Sequence, residues 1–338
     1  MTKHIFIVNP AAGKGSEAAD ISDVIRDACE ACNASYEIHL TTAPGDATDF
    51  TRKFIEREVK TRTPDAKKSN DEYRFYACGG DGTLSDVISG AIDESLGAPI
   101  PGVSVGCIPT GTGNDFTRNF SQSEFFLDVT KQLLADPMTI DCFKVDGNSA
   151  DSDRYGVNMV NIGFDCDVVC TAAELKKRRF FPKSLAYVVG VFIILKKNLG
   201  QTMTVISSDG STQSREFELV AVANGGFCGG GFHSAPKSRL DDGLLDLSLI
   251  KKVNRRDFLR LVGHYKNGTH LNTRLGKRVV NYSQTDRVTL KFPKAANVCV
   301  DGEIFRLNEV ALRVVPRAIS FLVPVGSVYS PYNMKKQK

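Results

Sequence analysis

"YRFYACGGDGTLSDVISGA" (Tyr73–Ala91) decides how the first half of this chain is read. Its opening, Tyr73–Cys78, is an apolar run of strand length, and Leu84, Val87, Ile88 and Ala91 then recur at helical spacing. The turn Gly79–Thr83 therefore joins a strand to a helix. Glycine lets the backbone approach an anion closely, and a helix N-terminus offers unpaired N–H groups, so such a turn suits phosphate. Asp81 stands in the middle of it. A carboxylate is tolerable beside phosphate when a divalent cation lies between them; the other reading is a helix cap.

The same alternation extends outward from this stretch. His4–Asn9, Tyr36–Thr41 and Val103–Pro109 read as strands. Ile21, Val24, Ile25, Ala28, Cys29 and Cys32 mark one helix, Asp46–Val59 another, and Thr61–Glu72 has the composition of an exposed loop. Two more glycine-rich turns, Asn9–Ser16 and Thr110–Asp115, follow expected parallel strands. All three turns then share the sheet edge where open α/β folds bind ligands. Lys14 is either a phosphate partner or an ordinary solvated lysine. Thr83 and Thr112 bring hydroxyl groups, and Asp115 has the same two readings as Asp81. A P-loop ending at Lys14 would need glycine at Val8 and a hydroxyl residue at Gly15. A dinucleotide fingerprint from Gly80 or Gly111 would need glycine at Ser85 or Phe116. Neither pattern fits.

Past Asp141 the texture changes to β-branched and aromatic runs separated by Asp-Gly turns. Tyr155–Asp165, Met203–Asn224, Leu244–Ile250, Arg287–Phe292, Asn297–Glu303 and Val310–Val315 are the expected strands, with a hairpin turn at Ser207–Thr212. Helical pieces are expected at Ser184–Asn198 and Arg256–Asn267. Ala318–Val325 is one more strand, which pattern assigns to neither half. The expected fold is an α/β domain over 1–140, a parallel sheet with flanking helices that 316–338 could complete. An antiparallel β-sandwich follows over 141–315.

Composition narrows the classes. A chain of 338 residues exceeds one core at about 150 residues per domain, and 42% apolar with 24% charged residues excludes disorder, collagen and coiled coil. Nine cysteines without a leader-like start imply a reduced, cytoplasmic protein. Cys29 and Cys32 read as core cysteines, and the five histidines form no metal cluster or triad pattern. The most apolar run, Ser184–Leu195, is shorter than the roughly 20 residues that cross a bilayer. The net charge of +4 is mild, but Lys176–Lys183 and Lys251–Arg256 are local basic concentrations. Lys176–Arg179 beside Phe180 and Phe181 read either as a seat on an anionic bilayer or as the charged collar of a core helix. Nucleic acid is disfavoured, since no stacking aromatics are interleaved with the basic residues.

"NPAAGKG" (9–15), "GGDGT" (79–83), "PTGTGNDF" (109–116), "NGGFCGGGFHSAPKSRLDDGLLDL" (224–247) and "VDGE" (300–303) together resemble the diacylglycerol kinase catalytic-domain family, most closely its soluble bacterial lipid kinases. The resemblance implies a nucleotide-binding α/β domain, a β-sandwich domain and a cleft where ATP, Mg²⁺ and a lipid hydroxyl meet. It implies that Asn9, Pro10, Ala11, Ala12, Gly13, Lys14, Thr41, Gly80, Asp81, Gly82, Thr83 and Thr112 hold ATP. Glu303 would be the general base, with Asp81 also in the catalytic set. Asp242, with carbonyls near Arg239 and Leu244, would hold a structural Mg²⁺ joined to the nucleotide through Asp81, Asp115 and Asp141. By itself "VDGE" reads as a hairpin turn, and Asp241-Asp242 as a turn or a hard-cation site. Where the family often has "LNE", this chain has Leu84-Ser85-Asp86, and Asp86 carries no assigned role.

The implied activity is transfer of the γ-phosphoryl group of ATP to a lipid alcohol, diacylglycerol foremost, giving phosphatidic acid. Phosphatidylglycerol, a sphingoid base or NAD are alternative acceptors, and a catalytically silent nucleotide- or lipid-binding regulator is the alternative of another class. The expected setting is cytoplasmic with peripheral membrane contact; a homodimer stays open.

Overall fold

Four strands of the amino-terminal half, β1 (Thr2–Val8), β2 (Ser35–Leu40), β3 (Glu72–Gly79) and β4 (Val103–Pro109), pair in parallel in the order β2-β1-β3-β4. Parallel strands covered on both faces should be apolar throughout, and Ile5–Val8 and Phe75–Cys78 are buried without interruption. Alternate residues serve different layers. Ile5, Ile7 and Phe75 pack with Phe54 of α2 (Asp46–Ile55) and with Val87 and Ile88 of α3 (Asp81–Ala91). Phe6, Val8, Tyr76 and Cys78 pack with Ile25 and Cys29 of α1 (Glu17–Ala31). The computed structural model describes residues 1–13, 17–60, 71–148, 154–164, 166–168, 170–171, 200–329 and 331. Lys14, most of the loop expected at Thr61–Glu72, and the basic-aromatic and helical stretches expected between Lys176 and Asn198 lie outside these residues.

A short helix α4 (Val129–Leu133) leads into the antiparallel half. Its strands are β5 (Asp136–Gly147), β6 (Arg154–Gly156), β7 (Met159–Gly163), β8 (Gln201–Ser207), β9 (Thr212–Ala223), β10 (Leu245–Lys251), β11 (Val280–Thr285), β12 (Arg287–Val300) and β13 (Glu303–Val323). Helices α5 (Arg255–Lys266) and α6 (Arg274–Val279) sit between β10 and β11. The β8–β9 hairpin turns at Gly210, whose φ of 80° glycine adopts freely. Inward residues such as Val160, Val205, Val220, Leu247, Leu290 and Val310 form one core, and α5 covers a second around Leu219, Ala221, Ile250, Leu261 and Tyr265. No helix among the described residues is long and apolar enough to cross a membrane.

Val310–Val315 and Ala318–Val325, expected as separate strands, are parts of one strand. β13 runs 21 residues, pairing antiparallel with β12 and β5 and then, through Phe321, parallel with Val105 of β4. The register shifts between Val315 and Ile319, where Pro316 cannot donate to the ladder and Arg317 has φ 52°. The proline therefore bends a strand that the sequence pattern reads as broken. β5 and β11 have no counterpart among the expected strands.

Candidate active site

The three glycine-rich turns leave the same ends of β1, β3 and β4 and touch one another. Asn9 donates its amide to the Cys78 carbonyl (3.0 Å), and Gly111 donates to the Gly79 carbonyl (3.2 Å). Gly111 is held by closeness: a Cβ there would lie 2.5 Å from the Gly80 Cα, so no larger residue fits. Asn9 joins the first turn to the second, its Nδ2 donating to the Thr83 hydroxyl (3.1 Å) and its Oδ1 accepting from the Ala11 amide (2.9 Å). Thr41 docks beside them, donating its amide to the Val8 carbonyl (2.9 Å). Gly13 closes the described part of the first turn at φ 65°. Pro10, Ala11 and Thr112 are exposed, while Thr83 is buried.

Asp81 points into the protein rather than out of the turn. Its two carboxylate oxygens accept the amides of Asp115 (3.0 Å) and Phe116 (2.9 Å), tying the second turn to the third. Burial raises its carboxyl above the ordinary value against the pull of those amides. Asp115 repeats the device one step further: it accepts the amides of Gly230 (2.9 Å) and Gly231 (2.7 Å) and faces Arg118 at 3.3 Å. Its carboxyl is raised by burial and then by the charge of Asp81. Asn119 adds a buried bond from the Gly226 amide (2.7 Å). The glycine-rich segment after Asn224 is thus clamped onto the third turn.

A second acidic group surrounds the Asp241-Asp242-Gly243 turn. Asp141 accepts the amides of Gly243 (2.6 Å) and Arg317 (2.7 Å). Asp242 accepts the Leu244 amide (3.1 Å) and Gln284 Nε2 (3.3 Å), while Arg239 pairs with Asp241 at 3.1 Å. Asp141 and Asp242 are both raised by burial, and neighbouring carboxylates add to each shift. Asp81 and Asp115 are brought together, and Asp141 is brought to Asp242. Among the described residues no three acidic, histidine or cysteine side chains converge as a metal cluster.

Glu303 comes to the first acidic group from the opposite domain. The β12–β13 hairpin turns at Asp301 (φ 44°) and Gly302 (φ 90°), the two left-handed residues of a tight hairpin. Asp301 is buried and accepts the amides of Val157 (2.7 Å), Asn158 (3.1 Å) and Met159 (2.8 Å); burial pushes its carboxyl up to about 6. So anchored, the turn sets Glu303 beside Gly82, where a Cβ would meet Glu303 Oε1 at 3.2 Å. Arg154 bridges Glu303 and Asp86, reaching Asp86 Oδ1 at 2.7 Å. Asp86 is pushed up to about 6, first by burial. Glu303 and Arg154 line a cleft of about 990 Å³ together with Asp46, Lys53, Lys144 and Phe305.

Arg154, Asp86 and Asp301 are site residues that sequence reasoning left without a role. Only Asp301 had a local signal, an Asp-Gly pair inside "VDGE". Behind the Gly229–Phe232 loop lies an apolar cavity of about 100 Å³, lined by Phe164, Leu219, Phe232, Phe258, Leu261 and Tyr265. Phe232 lines it and follows directly on the two glycines that hold Asp115.

These turns, clamped across a two-part sheet, belong to a fold with known relatives. Residues 3–145 match the diacylglycerol kinase catalytic domain, and residues 158–323 match the YegS C-terminal NAD kinase beta sandwich-like domain. The chain thus resembles the diacylglycerol kinase catalytic domain over its first part and the YegS C-terminal domain over its second. It is 26% identical over 306 residues to the diacylglycerol kinase of Bacillus subtilis (strain 168), covering 90% of each chain. A Staphylococcus aureus (strain JH9) protein with a provisional lipid kinase name is 26% identical over 288 residues, 84% of this chain and 85% of that one. A crystal structure of a diacylglycerol kinase from Bacillus anthracis (strain Sterne) shares the fold at a TM-score of 0.61 and 19% identity, covering 96% of this chain and 97% of that one.

Proposed function

We propose that this protein is an ATP- and Mg²⁺-dependent lipid kinase that phosphorylates the free hydroxyl of diacylglycerol. The carrying observation is the meeting of Glu303 with Gly82: a carboxylate of one domain stands against the glycine-rich turn of the other, over a cleft open to solvent. The turns of Asn9–Gly13, Gly80–Thr83 and Gly111–Thr112, with Thr41, would hold the phosphates through backbone N–H groups and the Thr83 and Thr112 hydroxyls. Asp81 and Asp115 act one layer behind, since their oxygens already accept amides; they hold the turns at their spacing.

Glu303 would accept the proton of the lipid hydroxyl late in a loose phosphoryl-transfer step. Arg154 pairs with the Glu303 carboxylate and holds it aimed at the turn. Asp242, with carbonyls near Arg239 and Leu244, would hold a hard divalent cation by exchanging the hydrogen bonds its oxygens now accept from Leu244 and Gln284, in a partly buried turn where carboxylates crowd one another. A bound Mg²⁺ supplies positive charge against the triphosphate. The names of the relatives, diacylglycerol kinase and lipid kinase, favour a lipid acceptor over NAD. The decisive measurement is incubation with labelled ATP, Mg²⁺ and a panel of diacylglycerol, phosphatidylglycerol, sphingosine and NAD. Labelled phosphatidic acid is expected; no labelled product, with a family enzyme active in parallel, would end the kinase reading.

A further inference from the structure

Apart from Lys176–Lys183, positive charge is concentrated in one stretch of this chain. Between Lys251 and Val280 nine lysines and arginines stand against one acidic residue, Asp257. The whole chain carries 43 basic against 39 acidic residues, so everything outside that stretch holds 34 basic and 38 acidic residues and is net negative. The folded structure gathers this charge on α5 and α6. Helix α5 buries Phe258, Leu261 and Tyr265 at helical spacing against the sheet. Its opposite side exposes Arg255, Arg256, Arg260 and Lys266, and α6 exposes Arg274, Lys277 and Arg278. Leu259, 62% exposed, lies one turn after Arg255 and Arg256 on the outward side.

Between the two helices runs a groove of about 880 Å³ lined by Arg260, His264, Arg274 and Arg278. One carboxylate serves it: Asp257 faces Arg278 at 3.1 Å and Arg260 at 3.6 Å. The groove therefore keeps a surplus of guanidinium groups, whose planar fork matches a phosphodiester. Leu261 lines both this groove and the apolar cavity on the inner side of α5.

We infer that the outward face of α5 and α6 is the surface by which this protein rests on an anionic bilayer, with a lipid phosphodiester in the Arg260–Arg274–Arg278 groove and Leu259 dipping among the headgroups. Charge complementarity selects the occupant: an anionic membrane presents phosphates over a plane, and this face presents cations around one exposed leucine. The inference stands on charge and shape alone, independent of the kinase reading.

The test is sedimentation of the full chain, without ATP, with vesicles of phosphatidylcholine alone or with phosphatidylglycerol in equal parts. Binding is expected only to the anionic vesicles and should weaken with salt. Arg256→Ala with Lys277→Ala should weaken it roughly 25-fold, since each basic residue near such a surface contributes about fivefold. Arg215→Ala with Lys294→Ala, an equal charge change outside the segment, should leave it within about twofold. Circular dichroism checks that both variants fold. Equal binding to neutral and anionic vesicles, equal loss in the two variants, or binding to a short DNA duplex in preference to the anionic vesicles overturns the inference. Vesicle binding with no kinase activity would leave it intact.

Discussion

The turn that opens α3 and the turn that opens β13 both contain Asp-Gly, Asp81-Gly82 in one and Asp301-Gly302 in the other. Both aspartates are turned inward and spent on backbone amides, two for Asp81 and three for Asp301. The residue after each glycine differs. Thr83 is buried against Asn9, whereas the Glu303 side chain keeps 41% of its surface and reaches Arg154. The comparison separates two uses of acid: a carboxylate with its lone pairs filled by amides holds a backbone shape, and one left at the cleft surface is available for proton transfer.

The largest expected effect would break the comparison if it failed. Glu303→Gln should lower turnover by roughly 10²–10⁴-fold with ATP binding and melting temperature nearly unchanged; wild-type turnover in a steady-state assay would reassign the base. Asp301→Ala should do the reverse, leaving three buried amides unpaired at a cost of about 3 to 5 kcal/mol. Denaturant titration should find that loss, and a variant as stable as wild type would mean that water replaces the carboxylate. Asp81→Ala, with two amides at stake, should cost about 2 to 4 kcal/mol and raise KM for ATP as the turns loosen.

Arg154→Lys sharpens the contrast further. A lysine cannot span Asp86 and Glu303 together, so kcat should fall roughly tenfold while KM for ATP holds. An unchanged kcat in a steady-state assay would reduce Arg154 to a structural contact. The smallest effect belongs to a carboxylate distant from both turns. Burial in the β-sandwich pushes Glu218 up from 4.5 to about 7, with Val253 and Lys252 pulling the other way. Because its folded value is raised, its contribution favours the folded state below pH 4.5 and is lost as pH rises to about 7, at most about 3 kcal/mol. Glu218→Gln should flatten the melting temperature between those pH values; a profile parallel to wild type would show that Glu218 is not its source.

The amino-terminal half was legible because its signals are local. Buried parallel strands give unbroken apolar runs such as Ile5–Val8, helices give a repeat of Leu84, Val87 and Ile88, and glycine marks each turn between them. The antiparallel half was legible at its hairpins and less so along its strands. Pro316 reads as an end yet sits at a bulge inside β13, and β5 gains its identity from the 21-residue strand it pairs with rather than from its own pattern. Asp86 and Arg154 could not be joined in sequence, being 68 residues apart with no shared motif.

By itself the sequence determined that three glycine-rich turns follow parallel strands, that an antiparallel half comes after them, and that an acidic residue stands in each Asp-Gly turn. Those features depend on periodicity and backbone conformation, which act over a few residues. Only the tertiary structure decided what each acid does. Hydrogen bonds to amides 34 and 144 residues away consume Asp81 and Asp301. The pairing of β12 with β13, and the meeting of the two domains, leave Glu303 at the cleft beside Gly82.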